Sequence, residues 1–176
     1  MKSFIKDIII ALLVVGALAL VIKPTIVKES SMEPTLYENN YLLINKMAYK
    51  FKDHPDPGDI IVFNSDLENE ETGKKKLLIK RVIGVEGDVI TIEGGNVYRN
   101  GQLLNEDYLY MPGSTIEDAS MEIDGFEIPY DRVFVMGDHR EVSMDSRSPS
   151  VGTVSELDIM GKAFVRLYPF DEIRLL

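Results

Sequence analysis

The 176-residue chain reads as mainly β, a single antiparallel β-rich domain behind one N-terminal transmembrane helix. Three observations carry that reading. Residues 8–22, IIIALLVVGALALVI, are uncharged and apolar, and nothing downstream looks like a helical partner for them. From Ile26 onward, short runs rich in β-branched and aromatic residues alternate with turn signals. Apolar residues make up 45% of the chain, which excludes a disordered polypeptide and suffices for a sizeable core over residues 28–176.

The bulk properties also remove several functions. A net charge of -10 leaves no basic face to neutralise phosphates, so nucleic acid is not an expected partner. With no cysteine there is no disulfide framework and no thiolate nucleophile. His54 and His139 are too few for a histidine-rich metal site, and no His-Glu-x-x-His spacing occurs. Neither a metal nor another cofactor is expected.

As a helix, residues 8–22 span about 23 Å, short of a hydrocarbon core of about 30 Å. Phe4 and Ile5 lengthen the span if Lys6 and Asp7 reach back to the headgroups. A cleavable signal peptide is one rival, with Lys2 and Lys6 ahead of a small-x-small pattern at Ala17-Leu18-Ala19. Against it, Leu20-Val21-Ile22 continue the apolar run with no polar segment before the pattern ends. An uncleaved anchor within residues 1–23 fits better, and Lys23-Pro24 is expected to end its helix. Lys2 and Lys6 on one side face Lys23 and Lys28 on the other, so charge alone leaves the orientation open.

Residues 24–176 then read as strands and turns. Ile26-Val27, Tyr41 to Ile44 and Asp59 to Phe63 are strand-like runs, with a turn at Pro55-Asp56-Pro57-Gly58 before the third. Residues 64–76 carry Glu68, Glu70 and Glu71, then Lys74, Lys75 and Lys76, and read as a solvated hairpin tip. Leu77 to Gly84 is a strand whose alternation puts Lys80 on the side of Leu78 and Val82, away from Ile79 and Arg81. Asp88 to Leu104 form a meander with a type I′ turn at Asn100-Gly101. Residues 105–128 are acidic and weakly patterned and read as a surface insertion or loop. Asp131 to Met136 and Gly161 to Tyr168 complete the strands.

Three stretches carry chemistry. The first is Glu29 to Leu36, where Pro34 biases Glu33 toward extended geometry next to Ser31. The others are Lys80 to Asp88 and Gly137 to Arg147. A serine hydroxyl is a poor nucleophile until a base takes its proton, and lysine serves as that base in Ser-Lys variants of the triad. The amine must be neutral to act, so its pKa has to fall. Lys80, flanked by Leu78, Ile79, Val82 and Ile83, can be desolvated; Lys74, Lys75 and Lys76 look fully solvated. Ser3-Phe4-Ile5-Lys6 matches a Ser-x-x-Lys tetrad but precedes the apolar span and lacks companion motifs. A Ser-His-Asp triad would combine Ser31 or Ser143 with His139 and Asp145, but His139 reads better as a satisfied loop residue.

Taken in order, the anchor, SSMEPTL (30–36), GDIIVF (58–63), KRVIGVEGD (80–88) and GDHREVSMDSR (137–147) resemble the type I signal peptidase family, its Gram-positive branch in particular. The resemblance covers nearly the whole chain. It implies the signal peptidase fold, with Ser31 as nucleophile and Lys80 as general base. Ser143 is similar to the serine that orients the lysine, and Asp145 with Arg147 to a structural ion pair, with Arg81 nearby. The Ser31 amide would donate to the oxyanion; a second, hydroxyl donor found two residues earlier in some members is replaced here by Glu29. Met32, Leu36 and Ile79 are the candidates to line small apolar substrate pockets.

The implied reaction is removal of signal peptides from exported preproteins. It implies a single-pass protein of the cell membrane, the N-terminus cytoplasmic and residues 24–176 forming an extracytoplasmic peptidase domain in contact with lipid and with the secretion machinery. A non-proteolytic, membrane-tethered assembly factor for surface proteins is the alternative from another class. Retention of Ser31, Lys80 and Ser143 speaks against it.

Overall fold

The structure, a computed structural model, describes residues 2–50, 54–68, 73–116 and 123–176. Helix α1 (Lys2–Val21) passes without a loop into strand β1 (Ile22–Ile26), earlier than the expected end at Lys23-Pro24. The reason is pairing: Ile22 to Ile26 line up antiparallel with β2 (Tyr41–Asn45), which claims the backbone as soon as the apolar run ends. Pro24 is tolerated inside β1 because β1 is an edge strand, where one row of N–H groups has no ladder to make.

Strands β3 (Ile60–Glu68) and β4 (Lys75–Val85) form the longest hairpin. Its strands extend well into the stretch expected as a solvated tip, and Ser65 is buried there with its hydroxyl bonded to the Lys76 carbonyl. Glu70 and Glu71 lie outside the described residues. The small meander follows as β5 (Val89–Glu93), β6 (Asn96–Arg99) and β7 (Gln102–Leu103). Asn100 and Gly101 both adopt positive φ, 54° and 75°, as a type I′ turn requires. After it come β8 (Phe126–Glu127), β9 (Arg132–Met136), β10 (Val154–Ser155), β11 (Ile159–Tyr168) and β12 (Arg174–Leu175).

Among the described residues these strands make two antiparallel sheets. The larger runs β1-β2-β11-β3-β4-β9-β10 with β12 beside β11, and the smaller runs β7-β6-β5-β8. Strand β9 is buried on both faces, which is why Val133-Phe134-Val135-Met136 reads as an unbroken apolar run. Phe134 and Met136 join Ile83, Ile90, Ile92 and Val97 in one cluster, while Val133 and Val135 join Ile61, Phe63, Leu78 and Val82 in another.

Most of the described residues between 105 and 128, expected as a surface insertion or loop, run outside strands, β8 excepted, and three of them are buried. Residues 117–122 lie outside the described residues, but Ile123 and Ile128 are fully buried in the first cluster and β8 pairs with β5. Thr115, 1% exposed, accepts a bond from Arg140. The buried positions come singly, among acidic neighbours, so no period betrays them.

Candidate active site

Ser31 sits on a single 3-10 turn, Ser30–Met32, between Glu29 and Glu33, both extended. The stiffening expected from Pro34 holds at Glu33 (φ -67°, ψ 143°), whereas Ser31 itself is on the turn rather than on extended chain. Two hydrogen bonds close the turn, Glu33 N–H to Ser30 O and Leu36 N–H to Met32 O.

Strand β4 brings Lys80 to this turn. At Lys80 the strand pairs with β3, and β9 joins from Arg81 onward; the lysine is buried there rather than snorkelling from an exposed edge. It is 1% exposed, and its Nζ donates to Ser31 Oγ at 2.6 Å. Burial lowers the Lys80 pKa from its ordinary 10.5 to about 8, even though the Asp145 and Glu29 carboxylates push it up. Leu78 and Val82 lie on the same side of β4 as Lys80; Ile79 turns the other way and packs with Met32 and Val27. An amine so placed is neutral in about a tenth of molecules at pH 7 and in about half near pH 8, and it touches the hydroxyl whose proton it would accept.

The 137–147 loop closes over the other side of Ser31. The His139 amide donates to the Ser31 carbonyl at 3.1 Å. Gly137 is packed so closely that a Cβ there would lie 2.4 Å from that carbonyl and 2.3 Å from Ser143 Oγ. Asp145, fully buried, accepts from the Gly137 amide and grips Arg147 with both oxygens at 2.9 Å, so the expected ion pair forms. Ser143 differs from expectation: its Oγ accepts the Gly137 N–H at 3.1 Å, and the amine of Lys80 goes to Ser31 instead.

Arg81 joins neither Asp145 nor Arg147. Pointing opposite to Lys80, it makes a two-point bond to Asp138 at 2.8 and 2.6 Å, donates to Thr35, and lies 4.0 Å over the Tyr108 ring. Asp138, fully buried, also accepts from the Thr35 hydroxyl, so one carboxylate ties the serine segment to β4. Sequence reading missed this brace and the neighbouring Arg140–Glu106 pair, because their partners are 57 and 34 residues apart with no local spacing to mark them. His139, expected as a satisfied loop histidine, stacks its ring on Tyr110 at 4.0 Å, and among the described residues its buried Nδ1 has no hydrogen-bond partner. It offers Ser31 a backbone amide, not an imidazole.

Two cavities flank Ser31. The larger, about 530 Å³, is a groove between residues 24–29 and 74–79, and Met32 and Ile79 line it. Leu36 does not: it is fully buried with Val27, Leu42 and Ile60, because the bond from its amide to Met32 O turns it inward. Leu36→Ala is therefore expected to cost about 2–5 kcal/mol of stability, which denaturation curves would check.

The profile of the family described as signal peptidase, peptidase S26, matches residues 1–168. The chain is 35% identical to "Probable signal peptidase I-2" of Synechocystis sp. over 175 residues, 99% of this chain and 75% of that one. It is 36% identical to "Signal peptidase I P" of Bacillus subtilis subsp. natto, covering 98% and 91%, and 34% identical to "Signal peptidase I U" of Bacillus subtilis, covering 98% and 93%. A single antiparallel β-rich body behind an N-terminal apolar helix, with these relatives along almost its whole length, belongs to the signal peptidase family S26, and the chain is a serine-peptidase hydrolase of the type I signal peptidase class.

Proposed function

We propose that the chain is a membrane-anchored endopeptidase in which Ser31 and Lys80 form the dyad that removes signal peptides from exported preproteins. The observation that carries this reading is the 2.6 Å contact between Lys80 Nζ and Ser31 Oγ at a lysine only 1% exposed. Ser31 Oγ attacks the scissile carbonyl while its proton passes to neutral Lys80. The lysine ammonium then protonates the departing amine, leaving a signal-peptide ester on Ser31. Neutral again, Lys80 takes a proton from the water that attacks the ester and passes it to the Ser31 oxygen as the ester breaks, restoring the free hydroxyl and the neutral amine.

An extended peptide fits the groove. Strand β9 pairs with β4 only from Arg81 onward, so among the described residues Lys75 to Ile79 keep one free edge on which a substrate strand can bond. Met32 and Ile79 are the side chains available there to admit small apolar residues, and the supporting roles of Ser143, Asp145, Arg147 and Arg81 are exerted through the loop and turn around Ser31. Phe4–Val21, with a mean hydropathy of 2.6 and no burial against the rest of the chain, is the proposed membrane span. The N-terminus would face the cytoplasm and residues 24–176 the outside. Confinement of enzyme and preprotein to one plane raises their effective concentration.

The test is processing of a preprotein by the detergent-solubilised full chain. One new N-terminus is expected, with a rate that climbs as pH rises through about 8, because only the neutral amine accepts the serine proton. Absence of cleavage across that range would favour the non-proteolytic assembly role. A rate that rises only near 10.5 would show a solvated lysine.

A further inference from the structure

The groove and the smaller cavity of about 320 Å³ meet at Ser31. Four residues line both: Glu29, Ser31, Lys76 and Leu78. A peptide bond held for attack by Ser31 would have one flank in each cavity, and these four residues line both approaches to it. Attack places negative charge on the carbonyl oxygen, and donors fixed beside that oxygen in a site screened from water contribute strongly to the rate. Leu78 has no polar atom, the Ser31 hydroxyl is consumed as nucleophile, and the Glu29 carboxylate accepts but does not donate. Lys76 alone among the four side chains brings both N–H donors and a positive charge.

Local structure holds that ammonium in place. Alternation along β4 sends Lys76, Leu78 and Lys80 to one side of the strand, with Lys75 and Leu77 exposed on the other. Across the cleft, Glu29 Oε1 holds Lys76 Nζ at 2.5 Å. Lys76 is thus not one of three freely solvated lysines, as its charged neighbourhood suggests, but part of the wall that Ser31 shares. Resting on the reading of Ser31 as nucleophile, we propose that Lys76 is a further catalytic residue, donating to the oxyanion, and that Glu29 is the positioning residue that keeps its flexible amine over the cleft. The Lys76 charge is also felt by the base, since it adds to the lowering of the Lys80 pKa.

Steady-state kinetics on a preprotein, at a pH above the ascending limb so that Lys80 is already neutral, separate the possibilities. Lys76→Met should lower kcat about 10²-fold, the usual effect of losing one oxyanion donor, with KM within about twofold. Affinity for a peptide boronate, whose tetrahedral adduct on Ser31 carries the same charge, should fall in step with kcat. Lys76→Arg should keep most of both. The double variant Glu29→Ala/Lys76→Met should remain as slow as Lys76→Met, because the missing donor and not a stranded carboxylate causes the loss. Near wild-type kcat in Lys76→Met, a change confined to KM, or full recovery in the double variant would each overturn the proposal. Lys76 is 38% exposed, so its substitutions leave the core intact, and unchanged melting would verify this. A wild-type enzyme that Ser31→Ala inactivates but Lys76→Met does not would sink this inference alone and leave the dyad standing.

Discussion

Ser31→Ala and Lys80→Met should each reduce preprotein processing to background, and the pair together should be no worse than either alone. In the proposed dyad nucleophile and base serve one proton transfer, so losing either removes the whole step. The lysine variant should differ from the serine variant in stability. Lys80 is buried with a folded pKa of about 8 against an ordinary 10.5, so below pH 8 folding forces a charged amine into an apolar wall. That difference corresponds to about 3 kcal/mol. The folded state binds fewer protons than the unfolded state between those two values, so wild-type stability should climb from about pH 8 to about 10.5 and then level off. Lys80→Met carries no such charge. It should melt higher than wild type at pH 7, and the gap should close as pH rises toward 10.5. Equal melting at both pH values would show that the amine is not desolvated, and retained turnover would remove Lys80 from the chemistry.

Gly137→Ala should cost activity far beyond what a single methyl group suggests. Its Cβ would stand 2.3 Å from Ser143 Oγ, 2.6 Å from Ser143 Cβ and 2.4 Å from the Ser31 carbonyl oxygen. Ser143 can rotate its hydroxyl but not its Cβ, and the Ser31 carbonyl cannot retreat without carrying the Ser31 side chain along. The same carbonyl is held by the His139 amide, so any shift also strains that bond. A displacement of about 1 Å at the reacting atoms is worth about 10²-fold in rate. Overpacking of this kind adds a stability loss of about 1–3 kcal/mol. Turnover of the folded fraction, measured beside a melting curve, separates the two effects. Unimpaired turnover would mean that the loop yields without moving Ser31.

What could be read from the sequence was what has a period or a punctuation mark. The β class followed from alternation and turns, and Asn100-Gly101 placed its hairpin correctly. The burial of Lys80 was legible because its apolar neighbours stand next to it in the chain. Illegible were contacts made across long stretches of sequence, Asp138 with Arg81 and Thr35 and Arg140 with Glu106, and also the local turning of Ser143 toward Gly137. Leu36 was misplaced for a related reason. Adjacency to Ser31 suggested the cleft, while a single backbone bond back to Met32 O decided for the interior. Lys76 looked solvated because its partner, Glu29, lies 47 positions earlier and on a different segment.

Strand β4 has a further consequence, for which changes of length the chain can inherit. Lys80 and Arg81 are neighbours in sequence but serve opposite sides, one meeting Ser31 and the other gripping Asp138, with register fixed by Ile61 and Ile60 of β3. Parity therefore matters more than identity. Removing one residue between Leu77 and Ile79, with the upstream pairing kept, exchanges the two sides and offers the serine a guanidinium, which stays protonated and cannot act as a base. Removing two restores the sides but moves the amine a full pleat, about 7 Å, along the strand. Descendants of this sequence can vary exposed Lys75 or Leu77 without disturbing the core, yet any gain or loss of a residue in β4 has to be absorbed before the strand begins.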